Sequence, residues 1–159
     1  MKPIKVEKTL TINKPAAELY HFWHDFENLP RFMKHLKAVN VFDGKRSHWT
    51  TSGPLDSTVE WDAEIIDDRE NELISWRSIQ DADVDNSGSI RFKPASRNSG
   101  TEVKVITAYN LPGRAIGDAI AKLFGESPEQ QLGDGLRRFK MLMETGEIAT
   151  TEGQAKGHN

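Results

Sequence analysis

Residues 59–77, VEWDAEIIDDRENELISWR, constrain this chain more than any other stretch, because they spell a β-hairpin with its large aromatics on one face. Val59, Trp61, Ala63 and Ile65 alternate with Glu60, Asp62 and Glu64, the period of a strand buried on one side. A return run follows a polar turn. Turning around Asp68, Arg69, Glu70 and Asn71 would set Asp67 opposite Glu72, Ile66 opposite Leu73, Ile65 opposite Ile74, Ala63 opposite Trp76 and Asp62 opposite Arg77. The like charges at Asp67 and Glu72 are tolerable only at a wet hairpin tip. This pairing sets Trp61 and Trp76 on one side, so the sheet presents flat apolar groups that a helix or a ligand must cover.

A chain of 159 residues can build one well-packed core, and residues 1–147 read as a single domain followed by a tail at 148–159 with no apolar pattern. The net charge of −3 offers a phosphate backbone no overall attraction, so nucleic acid is not an expected partner. The absence of cysteine removes disulfides, thiolate metal sites and cysteine nucleophiles. The first residues, MKPIKVEKTLTI, alternate charge with apolar side chains, and no segment reaches membrane-spanning length. A soluble, cytoplasmic protein is expected; its oligomeric state is not written in the sequence.

Ile4, Val6, Leu10 and Ile12 share one side of a first strand with Lys8. Asn13 and Pro15 announce a helix carrying Leu19, Tyr20, Phe22, Trp23 and Phe26, which Asn28, Leu29 and Pro30 break before a turn through Phe32 and Met33. Val39, Val41 and Phe42 lead into Asp43 and Gly44, a hairpin signal with its return strand through Trp49. After the central hairpin, 80–88 reads as a polar loop. Ile90 and Phe92 then pair with Val103 and Val105, with Lys93 facing Glu102 and Phe92 facing Val103, and the strand continues through Thr107 and Tyr109. Ile116, Ile120, Leu123 and Phe124 read as a short helix stopped at Gly125. Ser127, Pro128 and Gln130 then supply the start of a longer one, striped by Leu132, Leu136, Phe139 and Met143. Gly133 and Gly135 inside it cost about 1 kcal/mol each relative to alanine, and mark either close packing or a weak spot.

One strand, two short helices, a run of antiparallel strands and a long amphipathic helix close most simply as a two-layer α+β domain, a curved sheet wrapped around the last helix. The segments TINKPAAELYHFWHDFENLPRFM, VEWDAEIIDDRENELISWRS, GSIRFKPAS, GTEVKVITAY and QQLGDGLRRFKMLME together resemble the START-like (SRPBCC), polyketide cyclase/dehydrase superfamily, with the helix-grip fold of the major birch-pollen allergen. Asn28, Leu29, Pro30 and Phe32 match that family's turn after the first helix. The resemblance spans about residues 4–147 and implies a cavity between sheet and C-terminal helix that binds an apolar or aromatic small molecule.

The expected ligand-binding residues are Trp49, Trp61, Trp76, Phe92, Thr107 and Tyr109 from the sheet, and Leu132, Leu136 and Phe139 from the helix. Ser78, Thr107 and Tyr109 would supply polar contacts, and the alternative is that the aromatics simply fill a core. Trp23 and Phe26 read as the seam between the first helices and the sheet edge. His21, His24 and Glu27 lie on one helix with a spacing that could approach a metal, but the third ligand is poorly placed, so no metal and no organic cofactor is expected. Asp62 facing Arg77 reads as a surface ion pair, His48 points away from Trp49, and Arg137, Arg138 and Lys140 read as a solvated face. No strong acid or base falls at a deep inward position. The expected function is binding or carriage of a lipid, quinone or polyketide-like ring, with a cyclase/dehydrase of the aromatase type, or an interaction module for stress or assembly, as alternatives.

Overall fold

The computed structural model of the chain describes residues 4–52, 58–80, 82, 85–95, 100–110 and 128–147. Seven strands form one antiparallel sheet: β1 (Ile4–Ile12), β2 (Leu36–Val41), β3 (Arg46–Ser52), β4 (Thr58–Arg69), β5 (Leu73–Ser78), β6 (Asp85–Pro94) and β7 (Thr101–Asn110). Their order is β1-β7-β6-β5-β4-β3-β2, so each strand from β2 onward pairs with its chain neighbour. The first strand closes on the last, from Ile4 against Tyr109 to Ile12 against Thr101.

Among the described residues three helical segments cover the concave face: α1 (Ala16–His24), a 3₁₀ helix (Phe26–Arg31) and α2 (Pro128–Thr145). Pro15 sits at the N-cap of α1, and its carbonyl accepts from the N–H groups of Glu18 and Leu19. Asp25 ends that helix in an extended conformation, and its carboxylate accepts the Glu27 N–H that starts the 3₁₀ turn. Leu19, Trp23, Phe26, Leu29 and Phe32 are all buried by this route.

The central hairpin forms in a different register from the one expected. Ala63 lies opposite Ser78, Glu64 opposite Arg77 and Ile65 opposite Trp76, and an irregularity between Ile65 and Asp67 then sets Asp67 against Ser75 and Arg69 against Leu73. Asn71 takes a φ of 65°, which lets the chain turn within Glu70, Asn71 and Glu72 rather than at a broader tip. The slip is two residues before the bulge, so it leaves every side chain below the bulge on its expected face. Trp61 and Trp76 therefore do share the concave side. Beyond the bulge the faces exchange: Asp67, expected on the tryptophan side, lies opposite Ser75, and Asp68 takes that side opposite the buried Ile74, while Ile66 stays exposed.

The polar stretch expected as a loop contains the start of β6, where Asn86, Ser87 and Gly88 pair with β7 on one side, and Ser87 and Gly88 with β5 on the other. Gly88 is opposite Trp76, and a Cβ there would stand 2.5 Å from the indole. Only a residue without a side chain lets Trp76 lie across β6. Phe92 against Val103 and Lys93 against Glu102 form as expected.

Along α2, Leu132, Gly135, Leu136, Phe139 and Leu142 are buried and Met143 is at the margin. The two glycines differ. A Cβ at Gly135 would meet Met33 Sδ at 2.4 Å, whereas one at Gly133 meets nothing nearer than 3.7 Å. The basic run on this helix is not a plain solvated face. Arg137 is exposed and pairs with Asp134, but Arg138 Nε donates to the Phe32 carbonyl at 2.8 Å and Lys140 donates to the Thr11 carbonyl. Glu144 accepts the Asn13 N–H at 2.7 Å, so α2 is tied to both ends of the segment that carries α1. The helix expected at 116–124, its stop at Gly125, the Ser127 cap and the tail beyond Ile148 lie outside the described residues.

Candidate functional site

Trp49 and Trp61 sit opposite each other on β3 and β4, because both strands bury alternate residues on the concave face. Their rings stack at 5.9 Å with 25° between planes, and Trp49 stacks on Trp76 at 6.3 Å and 23°. Phe26 meets Trp49 and Trp76 edge-on, each at 5.4 Å. Such contacts contribute roughly 0.5–1.5 kcal/mol per pair beyond area burial.

Against it lies a cavity of about 70 Å³. Of the nine expected residues, Trp49, Trp61, Trp76, Thr107, Tyr109 and Leu132 line it. Phe92, Leu136 and Phe139 do not. Phe139 packs at 4.8 Å on Phe32 and 5.2 Å on Trp23, and Phe92 meets Tyr20 at 6.1 Å. The aromatic side chains of α1 and the following turn fill that end of the groove, and the cavity remains near the N-terminal end of α2. Trp23, expected at a sheet-edge seam, is instead central: it borders the cavity and is within 6.4 Å of Trp76.

The segment from the 3₁₀ helix to the start of β2 supplies lining that the sequence did not signal: Leu29, Met33, His35 and Leu36. His35 corrects the expectation that no base lies inward. Its main-chain carbonyl accepts from Thr51 Oγ1 at 2.6 Å, which pins the turn to β3. Burial, with the Arg138 guanidinium nearby, holds its imidazole down to about 4, so the ring is neutral at pH 7. Asn86, Ser87 and Gln131 add polar groups. Burial pushes the Tyr109 phenol up, against a hydrogen bond from Thr107 that favours its ionised form. Ser78 stays outside the lining, holding Asp85 and the Asn86 N–H.

Two lining groups are unsatisfied. The indole N–H groups of Trp23 and Trp61 are sealed from solvent and find no acceptor among the described residues. An orphaned buried donor costs about 1–3 kcal/mol. The Trp49 N–H, by contrast, donates to Ser47 Oγ at 2.8 Å.

The other titratable clusters lie outside this cavity. Asp68, set on the α1 side of the sheet by the bulge and still exposed, accepts from the Tyr20 hydroxyl and bonds His24 Nε2 at 2.7 Å. Burial pushes the Asp68 carboxyl up, but those two hydrogen bonds outweigh it and leave the group below its usual range. Glu27 is far from acting as a third ligand beside His21 and His24, since its carboxylate accepts the Val41 N–H at 2.9 Å. Among the described residues no group of three or more His, Asp or Glu side chains is placed to hold a metal ion. On the outer face, His48 bridges Asp62 at 2.6 Å and Glu60 at 2.7 Å. Asp62 thus pairs with His48 rather than Arg77, which takes Glu64 at 3.2 Å.

A curved antiparallel sheet gripping a C-terminal helix around an aromatic cavity defines the helix-grip class of α+β proteins. Residues 12–137 match the family described as polyketide cyclase/dehydrase and lipid transport, and the chain belongs to that family. It is similar to the solved structure of DR_A0006 from Deinococcus radiodurans, with 40% identity, a TM-score of 0.75 and coverage of 90% of this chain and 98% of that one. An uncharacterized 17.2 kDa protein of Streptomyces lincolnensis is 26% identical over 140 residues, spanning 88% of this chain and 89% of the relative. The Zhui aromatase/cyclase from Streptomyces sp. R1128 shares the fold at 14% identity and a TM-score of 0.64, over 93% of this chain and all of that one. Among the described residues no helix is long and apolar enough to cross a membrane.

Proposed function

We propose that the protein binds and carries a hydrophobic or aromatic small molecule in the cavity between sheet and α2. The observation that carries this reading is the stacked tier of Trp49, Trp61 and Trp76 forming one wall of an internal cavity that also holds hydroxyl and amide groups. Removing apolar area from water at about 25 cal/mol per Å² gives a ring-sized ligand several kcal/mol before ordering costs, enough for micromolar binding. The family description, which includes lipid transport, agrees with a carrier.

A second reading is favoured by one specific observation. His35 and Tyr109 both border the cavity, so a proton donor or acceptor does face the bound molecule, as a cyclase or dehydratase would require. Native mass spectrometry of the protein purified from its own host separates the readings. A released quinone, lipid or aromatic supports the carrier and supplies the compound to assay for turnover. An empty protein that also fails to bind apolar fluorophores overturns both readings and leaves a surface-mediated role.

A further inference from the structure

We propose that this cavity selects a neutral, single-ring ligand bearing a carbonyl-type oxygen, with the indole N–H groups of Trp61 and Trp23 as the donors that recognise it. The inference rests on the carrier reading and names its ligand class. Three observations converge on it. No Asp, Glu, Lys or Arg is among the described residues of the lining, so nothing there compensates a buried ionic charge on the ligand. The volume of about 70 Å³ is below the roughly 150 Å³ that holds a benzene ring, so widening the cavity admits one ring before it admits a fused system or an acyl chain. Two lining residues, Trp23 and Trp61, hold buried donors with no acceptor among the described residues, and a ligand oxygen that reaches either N–H would satisfy it.

The donors are sealed in this closed arrangement, so a ligand reaches them only by parting the rings. A hydrocarbon that does so leaves both N–H groups orphaned; an oxygen-bearing ring does not. Selection therefore arises in the bound state, where the oxygen-bearing ring satisfies donors that the hydrocarbon leaves unpaired. The Trp49 N–H is already committed to Ser47 and takes no part.

Acetophenone and α-methylstyrene have nearly the same shape and differ by an oxygen in place of a methylene group. Calorimetric titration of the full-length chain with each probe gives a ratio of affinities. Trp61→Phe and Trp23→Phe, which keep an aromatic ring and delete the N–H, are expected to reduce the acetophenone preference about tenfold each, the equivalent of about 1.4 kcal/mol. Trp49→Phe is expected to change both affinities alike. In ¹⁵N-labelled protein, two indole N–H resonances should move downfield with acetophenone and not with α-methylstyrene. If both probes bind and the ratio is the same in the wild type and in the Trp61 and Trp23 variants, the donor assignment is overturned while the carrier reading stands. If neither probe binds, this assignment fails, and fluorophore binding with mass spectrometry decides whether the carrier reading fails too.

Discussion

His35 bears the largest consequence of any single side chain. A histidine whose folded value is lowered to about 4 from an ordinary 6.5 takes up its proton in the unfolded chain first. Stability is therefore full above about pH 6.5 and is lost as pH falls toward about 4. His35→Gln should flatten that part of the stability profile, read as a smaller difference in denaturant midpoint between about pH 7 and pH 4.5. His48 carries the opposite sign. Hydrogen bonds to Asp62 and then Glu60 raise it, so its contribution is present below the ordinary histidine range and disappears as pH rises through the raised value. Wild type and His48→Asn should differ most in melting temperature at about pH 5.5 and converge by about pH 8.5. The sequence showed His48 facing away from Trp49. It gave no warning of His35, which lies between a turn and a strand where neither periodicity applies.

Secondary-structure elements carry the next set of consequences. The bland and the packed readings of the two helix glycines are both correct, one for each residue. Gly133→Ala should stabilise the protein by about 1 kcal/mol, since the helix gains and nothing obstructs the methyl group. Gly135→Ala should gain less or lose, because Met33 must move. Chemical denaturation of the pair measures the difference directly. Gly88→Ala should displace Trp76 and be visible as a changed near-ultraviolet circular dichroism spectrum with the far-ultraviolet spectrum preserved. At this scale the strands, their order of appearance and the buried stripe of α2 were legible, because alternation and helical spacing are local properties of the chain. The hairpin register was not. Pair-by-pair matching cannot see a bulge at Ile66 or the left-handed Asn71 that tightens the turn. The extended form of 85–88 was also hidden, since its polar residues are strand residues only through pairing with partners remote in sequence.

Across the whole molecule, the sheet closes by joining its first strand to its last, with Ile4 beside Tyr109. Such pairing imposes a high contact order, and refolding is expected on the order of milliseconds to seconds rather than microseconds. Stopped-flow tryptophan fluorescence would show it, and full recovery of signal within microseconds would refute it. The arrangement leaves β1 and β2 as the sheet's two margins. On β2 the outward Val41 N–H is already taken by Glu27, from the 3₁₀ helix, beside the exposed side chains of Val41 and Phe42. A carboxylate in that position works as a guard: it occupies the donor that a stray strand from another copy would use, and places negative charge where such a strand would approach. The long-term solubility of the protein in concentrated solution therefore depends on a residue remote from the cavity. Glu27→Ala should leave ligand binding intact while raising concentration-dependent light scattering.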